Sequence, residues 1–584
     1  VKRCLGGLWG RALSKATARA WVGFACANIM VFRLDKIVLS NIMLEILRIA
    51  IFCLYDKLAN MNQAKDLTGA DVLLMGLAEQ GVDVCFANPG TTELDLVRAL
   101  ERQAQIRCVI GLQENVCTGA ADGFGRMAER PAATLLHLGP GFANGIANLH
   151  NARRAHTPIV NLIGDHTSWH LPFDAPLTSD IESLARPVSG WVHRITGESD
   201  CASAAAEAVR QTARNGGQSS ALIFPADFQA ASCRDVAALG ASDTSSPVAA
   251  LASEPDLRAC AEALKQSRRT VFLLGGGGQR SGLSAAGQRV VSRLCDQFGA
   301  TAYAETFPSR SERGQGLPAF DRLPYFPEPA RQVLDAAELV VLVGALPPVT
   351  YFGYEGHPSL LVPEDRLLRL SAPGDDAVQR LEQLAMLLHT PPYAAPTPSV
   401  PAHEVGALTP AKVASVLAGA LPPQTIVSVE GGTCGYPFYA ASASAAPHTT
   451  LTNTGGAIGQ GLPVAMGAAI ACPDRRVVAL LSDGSTQYTV QTLWSLAHEA
   501  LDVVVLIAAN HQYAILRNEL RRGGASLGEK AAAMTALDNP CIDWVGLAQA
   551  YGVPASRAET AEVLATQLTL AFARKGPTLI EMAL

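Results

Sequence analysis

From Asp66 onward, short apolar runs rich in β-formers alternate with amphipathic helical stretches, and this rhythm restricts the fold more than any other feature. VDVCFA, ATLLHL and PIVNLIG read as strands, whereas GADVLLMGLAEQ and ENVCTGAADGFGRMAE read as helices. Strands joined through helices pair in parallel, and the helices cover both faces of the resulting sheet. The rhythm pauses at QAASCRDVAALGASDTSSPVAALASE and again at the Pro-rich HTPPYAAPTPSVPAHE, both of which read as linkers. The expected architecture is α/β, with three doubly wound parallel-sheet domains over residues 62–228, 250–390 and 405–584. Residues 1–60 do not fit this pattern. Their bases precede IVLSNIMLEILRIAIFCLY, where Glu45 and Arg48 make a poor membrane span. We read them as a leader or mis-assigned start ahead of Met61, with an amphipathic targeting segment as the alternative.

Charge and cysteine usage narrow the function classes. The net charge is −6, and no basic stripe is present, so neither nucleic acid nor a membrane is an expected partner. The 13 cysteines are odd in number and include no CxxC pair, which reads as reduced thiols in a cytoplasmic protein. Cys117 and Cys434 are read as small hydrophobes rather than nucleophiles.

Glycine-rich turns follow the apolar runs: NPGTTEL, HLGPGFANG, VEGGTCG, TGGAIGQG and SDGST. In open parallel sheets, ligands sit beyond the carboxyl ends of the strands, where these turns lie. Asp483 ends one apolar run and Asn510 ends the next. Either could be an ordinary strand-end cap. Together, a carboxylate, an amide oxygen and a backbone carbonyl near Gln512 would suit Mg²⁺ shared with a diphosphate. Gly484 and Ser485 allow close backbone approach, and TVQTLWSLAHEA is expected to form a helix whose N-terminus favours an anion. Glu114, at a strand–helix junction, could cap its helix or share a proton with a heterocyclic nitrogen.

SDGS…AANHQ resembles the diphosphate–metal motif of thiamine diphosphate (ThDP) enzymes, with Ser482 in place of the usual first Gly. TGGAIGQGLPVAMGAAIA is similar to the segment covering the cofactor's two rings, and VEGGTCG to a second diphosphate turn. QENVCTGAADGFGRM resembles the segment carrying the glutamate that bonds the aminopyrimidine. The resemblance runs from Asp66 to Leu584 and is nearest the branch of acetolactate synthase large subunits and benzoylformate decarboxylase. It implies pyrimidine-binding, central and diphosphate-binding domains, with active sites between subunits of a homodimer or homotetramer. By the same resemblance, Glu114 and His137 are catalytic. Asp483, Asn510 and Gln512 hold Mg²⁺. Gly432, Thr433, Gly456, Ala457, Ile458, Gly484, Ser485 and Tyr513 contact ThDP, while Thr91, Ile515 and Glu519 meet a small 2-oxo acid.

Departures from the family pattern leave the reaction open. His137 matches a proton-handling histidine of benzoylformate decarboxylase, but SRSERGQGLPAFDRLPYF lacks that enzyme's second histidine. Ser189 and Gly190 stand where acetolactate synthase has an interface lysine. Ile515 is expected to narrow the pocket and favour pyruvate, and Glu519 either disfavours a second carboxylate or faces solvent beside Arg517. The leading reading is acetolactate synthase-like decarboxylation with carboligation. The alternatives are a decarboxylase that releases an aldehyde and a non-catalytic binding subunit of the family. GGGG at 275–278 follows a strand, but the sequence offers no clear acid ending a second strand. FAD, which acetolactate synthases bind there, is therefore not the expected cofactor, though it stays possible.

Overall fold

A parallel strand covered on both faces needs a nearly unbroken apolar sequence. VVVLIAA at Val503–Ala509 is such a run, and every one of its residues is buried. The computed structural model describes residues 67–233, 254–397, 401–524 and 526–584. The leader reading of residues 1–60 and most of the first linker lie outside them.

The first sheet contains β1 (Val84–Asn88), β2 (Arg107–Ile110), β3 (Ala132–Leu136), β4 (Ile159–Asp165), β5 (Trp191–Arg194) and β6 (Ser219–Pro225). Its order is β2-β1-β3-β4-β6-β5, and all pairs are parallel. Next come β7 (Thr270–Leu274), β8 (Thr301–Ala304), β9 (Arg310–Arg313), β10 (Asp321–Arg322), β11 (Leu339–Val343) and β12 (Leu367–Ser371). All but β9 form a second parallel sheet, ordered β10-β8-β7-β11-β12. The third is built from β13 (Ile426–Glu430), β14 (His448–Thr452), β15 (Val477–Ser482), β16 (Val503–Ala509), β17 (Ala555–Ala558) and β18 (Thr578–Ala583). Its order is β17-β18-β16-β15-β13-β14-β9.

β9 departs from the expected division of the strands. It lies within the 250–390 stretch yet closes the third sheet, antiparallel to β14. Side-chain bonds hold it there rather than apolar burial. Ser311 Oγ meets Thr450 Oγ1 at 2.6 Å, and the Arg313 guanidinium stacks 3.7 Å from the Tyr439 ring centroid while donating to Tyr439 O.

The first and third sheets are joined by two helices packed backbone to backbone, Glu114–Ala128 and Gly461–Ala471. A Cβ at Gly123 would lie 2.1 Å from Val464 O, and one at Gly467 would lie 1.8 Å from Ala120 O, so only glycine fits at this crossing. A buried ion pair bolts the same region. Arg126 donates to Asp122 through both Nε (2.8 Å) and Nη2 (2.5 Å), and its Nη1 reaches Ser309 O and Thr452 O. The Asp122 carboxylate also accepts from Thr157 Oγ1 and Gln460 Nε2. Among the described residues, no helix is long and apolar enough to cross a membrane. The ten described cysteines are free, and burial pushes the Cys117 and Cys434 thiols up to about 12, far from a nucleophile's range.

Candidate active site

The third sheet reverses its winding at β13, which has β14 on one side and β15 on the other. Loops leaving a parallel sheet at such a switch point diverge and leave a crevice at the carboxyl ends. Three predicted segments meet there. Gly431 leaves β13 at φ +107°, and its Cβ position is filled by Ser482 Oγ at the end of β15, 2.0 Å away. Asn510, after β16, donates from Nδ2 to Thr433 Oγ1 at 3.0 Å. Asp483 Oδ2 accepts the His511 amide at 2.7 Å, and Oδ1 accepts its neighbour Gly484 N at 2.8 Å. The loops after β13, β15 and β16 are thereby tied into one cluster.

The donors in this cluster fit a cation bound with a diphosphate. Asp483 is 1 % exposed, and among the described residues no cationic side chain lies within ion-pair distance of it. Its carboxylate meets only two amide N–H groups, and desolvation pushes its pKa up. A buried carboxylate with spare lone pairs and no direct ion-pair partner is stabilised by a hard cation. Gln512 N caps Asn510 Oδ1 at 3.1 Å, and Gln512 O accepts from Ala514 N at 3.0 Å. Gly432 and Thr433 open the helix Gly432–Ala441, whose first N–H groups suit an anion. The Tyr513 ring lies over Gly484, 2.6 Å from where a Cβ would stand, and Ser485 Oγ donates to Ser482 O. The helix expected over TVQTLWSLAHEA forms within that stretch, at Thr492–His498. A short turn at Asp483–Thr486 and a 3-10 turn at Gln487–Thr489 precede it.

The loop 453–461 is clamped from two sides. From the first domain, Asn151 Nδ2 donates to Ala457 O at 2.8 Å, Asn151 Oδ1 accepts Ala457 N, and Asn148 Nδ2 reaches Gly459 O. From the third domain, buried Glu430 accepts N–H from Gly459, Gln460 and Gly461 at 2.8, 3.1 and 2.9 Å, and Asn453 Nδ2 at 3.3 Å. Burial raises the Glu430 pKa, and these donors pull against it. Sequence reasoning missed Glu430, although an acid closing the apolar run TIVSVE was the available signal. Gly456 turns at φ +79° against the Tyr351 hydroxyl, and Ile458 is partly buried beside it.

Glu114 and His137 converge on Gly141. A Cβ there would lie 3.1 Å from Glu114 Oε1 and 3.2 Å from His137 Cβ. Asn144 Nδ2 donates to Glu114 Oε2 at 3.0 Å. His137 Nδ1 sits 2.8 Å from Glu93 Oε2, and fully buried Glu93 also accepts from Gly90 N and Thr92 Oγ1. Leu138 follows in the left-handed region at φ +51°, a strained turn of the sort that functional sites retain. Glu93 was also missed; its spacing of three from Gly90 in NPGTTEL was the signal. Thr91 is exposed at the start of that turn. In a single chain, the described contacts show no partner shared by the Glu114–His137 pair and the Asp483 cluster.

The remaining candidates stand apart. Ile515 is 50 % exposed on the helix Ala514–Arg522, which buries none of its residues. Glu519 does not sit beside Arg517. It accepts from Arg522 Nη1 at 3.1 Å and from the Tyr354 hydroxyl at 3.4 Å, while Arg517 turns back to Gln512 and Thr535. In the second sheet, Glu305 directly follows β8, so an acid does end its second strand. It accepts Gly276 N at 2.6 Å, and desolvation pushes it up to about 7. The strand TAYA is too short and too mixed to be read as a strand from sequence.

Residues 67–184 match the thiamine pyrophosphate enzyme N-terminal TPP binding domain, and residues 431–582 match its C-terminal TPP binding domain. IlvX of Mycobacterium tuberculosis, provisionally named an acetolactate synthase large subunit, is 45% identical over 88% of this chain and 99% of its own length. Benzoylformate decarboxylase of Pseudomonas aeruginosa is 29% identical over 87% of this chain and 97% of its own. The solved ThDP-dependent 4-hydroxybenzoylformate decarboxylase of Rhodococcus jostii RHA1 superposes with a TM-score of 0.75 at 25% identity, over 88% of this chain and 98% of that one. The chain belongs to the thiamine diphosphate enzyme family and is a ThDP-dependent enzyme related to acetolactate synthase and benzoylformate decarboxylase.

Proposed function

We propose that the chain decarboxylates an aryl-substituted 2-oxo acid with ThDP and Mg²⁺, and releases the aldehyde after protonation by His137. The His137–Glu93 pair carries this reading. An imidazole whose Nδ1–H is fixed on a buried carboxylate keeps Nε2 free to take and return a proton. Bound ThDP supplies the electron sink that lets carbon dioxide leave. Asp483, Asn510 and the Gln512 carbonyl would hold Mg²⁺, and Gly432, Thr433, Gly484 and Ser485 would face the diphosphate. Gly456, Ala457, Ile458 and Tyr513 would bracket the rings. Glu114, oriented by Asn144, would hold the proton shared with the aminopyrimidine nitrogen.

The two clusters share no partner within a chain, which supports an active site assembled from two subunits. The wall beside Gly456 is aromatic. Tyr351 packs against Phe307, Tyr325 and Phe352 at centroid distances of 5.7, 5.0 and 5.2 Å, which suits an aryl side chain better than pyruvate. The 45% identity to IlvX keeps a second reading, acetolactate formation from pyruvate.

His137→Ala is expected to lower kcat for benzaldehyde formation from benzoylformate by about 10²–10⁴-fold, the usual worth of a general acid–base group. ThDP affinity should stay within about threefold, because His137 lies outside the diphosphate cluster. Steady-state kinetics alongside ThDP titration decide the matter, and an unchanged kcat removes His137 from the mechanism.

A further inference from the structure

We infer that the cleft between the second sheet and the helix Gly432–Ala441 is a binding site for a small monocarboxylate with an apolar or aromatic body, held by Arg322. The cleft has a volume of about 630 Å³, within the range of about 300–1,000 Å³ typical of small-molecule sites. Arg322 lies on β10 with its guanidinium 4.7 Å from the Tyr436 ring centroid and 4.5 Å from that of Tyr439. Among the described residues it has no carboxylate partner and no hydrogen-bond acceptor. None of its nitrogens is sealed from solvent, so its planar fork of donors opens into the cleft.

The two neighbouring charges fix what can enter. Arg313, the other arginine stacked on Tyr439, is already used by Ser442 Oγ, Phe320 O and Tyr439 O. Asp321 lines the cleft from its exposed rim. Its negative charge disfavours a dianion such as phosphate but leaves room for one carboxylate on the fork of Arg322. Leu323 and Val333 supply an apolar floor, and the Tyr436 and Tyr439 faces suit a flat body. Burial pushes the Arg322 pKa down from its ordinary value; the two tyrosine faces offset part of that desolvation, and a bound anion would offset more. Tyr436 and Tyr439 stand about one and two turns beyond Thr433, so an occupant touches the helix that begins at the proposed diphosphate site.

The test is fluorine NMR of 4-fluorobenzoate with the ThDP- and Mg²⁺-loaded enzyme, its R322Q variant and its V333W variant. V333W crowds the cleft from the helix Pro327–Leu334 while keeping Arg322, and still decides the outcome if R322Q fails to fold. Probe held at the cofactor site is common to all three proteins and cancels in the comparison. Binding is expected to weaken at least tenfold in both variants, with ThDP affinity and circular dichroism unchanged. Equal binding by either folded variant overturns the inference. So does displacement of the probe by inorganic phosphate as effective as that by unlabelled benzoate.

Discussion

Asp483→Ala is expected to abolish ThDP retention while the fold survives. Asp483 is the acid at the switch-point crevice, 1 % exposed, with two amide donors and His511 as its nearby charge but no direct ion pair among the described residues. Its removal deletes the carboxylate that would bind the metal, and loss of a direct ligand costs more than the 10–100-fold typical of residues behind one. The expected loss of ThDP affinity in the presence of Mg²⁺ is therefore at least about a hundredfold. The apo protein suffers little. Two amides lose an acceptor, at about 1–3 kcal/mol each if left unpaired, but a desolvated charge leaves with it and water can enter the smaller site. Calorimetric titration of ThDP, together with thermal unfolding of both apo proteins, reads the two effects separately. Full ThDP binding by the variant rules out the metal assignment.

Arg126→Ala is expected to destabilise the chain by about 3–5 kcal/mol, the cost of leaving one charge of a buried pair alone. The Arg126 and Asp122 side chains are 2 % and 0 % exposed, and the guanidinium also satisfies carbonyls from two other segments, Ser309 and Thr452. Asp122 would keep only Thr157 and Gln460 as donors. Urea unfolding measures the loss, and the double variant Arg126→Met with Asp122→Leu should recover most of it, since no charge is then stranded. A loss below about 1 kcal/mol in the single variant would show that the pair is not the bolt between the sheets.

What could be read from the sequence follows a physical division. Runs such as VVVLIAA and PIVNLIG announce themselves because a strand buried on both faces is nearly continuous in apolar residues, with Asn161 the one polar side chain in the two runs. Asp483 and Asn510 stood out because polar residues closing such runs are conspicuous. β9 could not be read, since RSER carries no apolar period and is held by bonds to residues about 130 positions away, such as Arg313 to Ser442. Glu93, Glu430 and Glu305 were passed over for a related reason. Each acts by accepting backbone amides of a turn: Glu93 does so locally at Gly90, whereas only the folded chain brings the amides of Gly459–Gly461 to Glu430 and that of Gly276 to Glu305. Of the partners of Glu519, Arg522 is local to its helix, and only Tyr354 comes from the second domain.

The most direct test of the whole account is product analysis of the purified enzyme with ThDP and Mg²⁺, given benzoylformate and, separately, pyruvate. The account predicts benzaldehyde from benzoylformate and little acetolactate from pyruvate. Acetolactate from pyruvate, with benzoylformate untouched, would contradict both the aryl pocket and the role of His137 as the proton donor that ends the reaction.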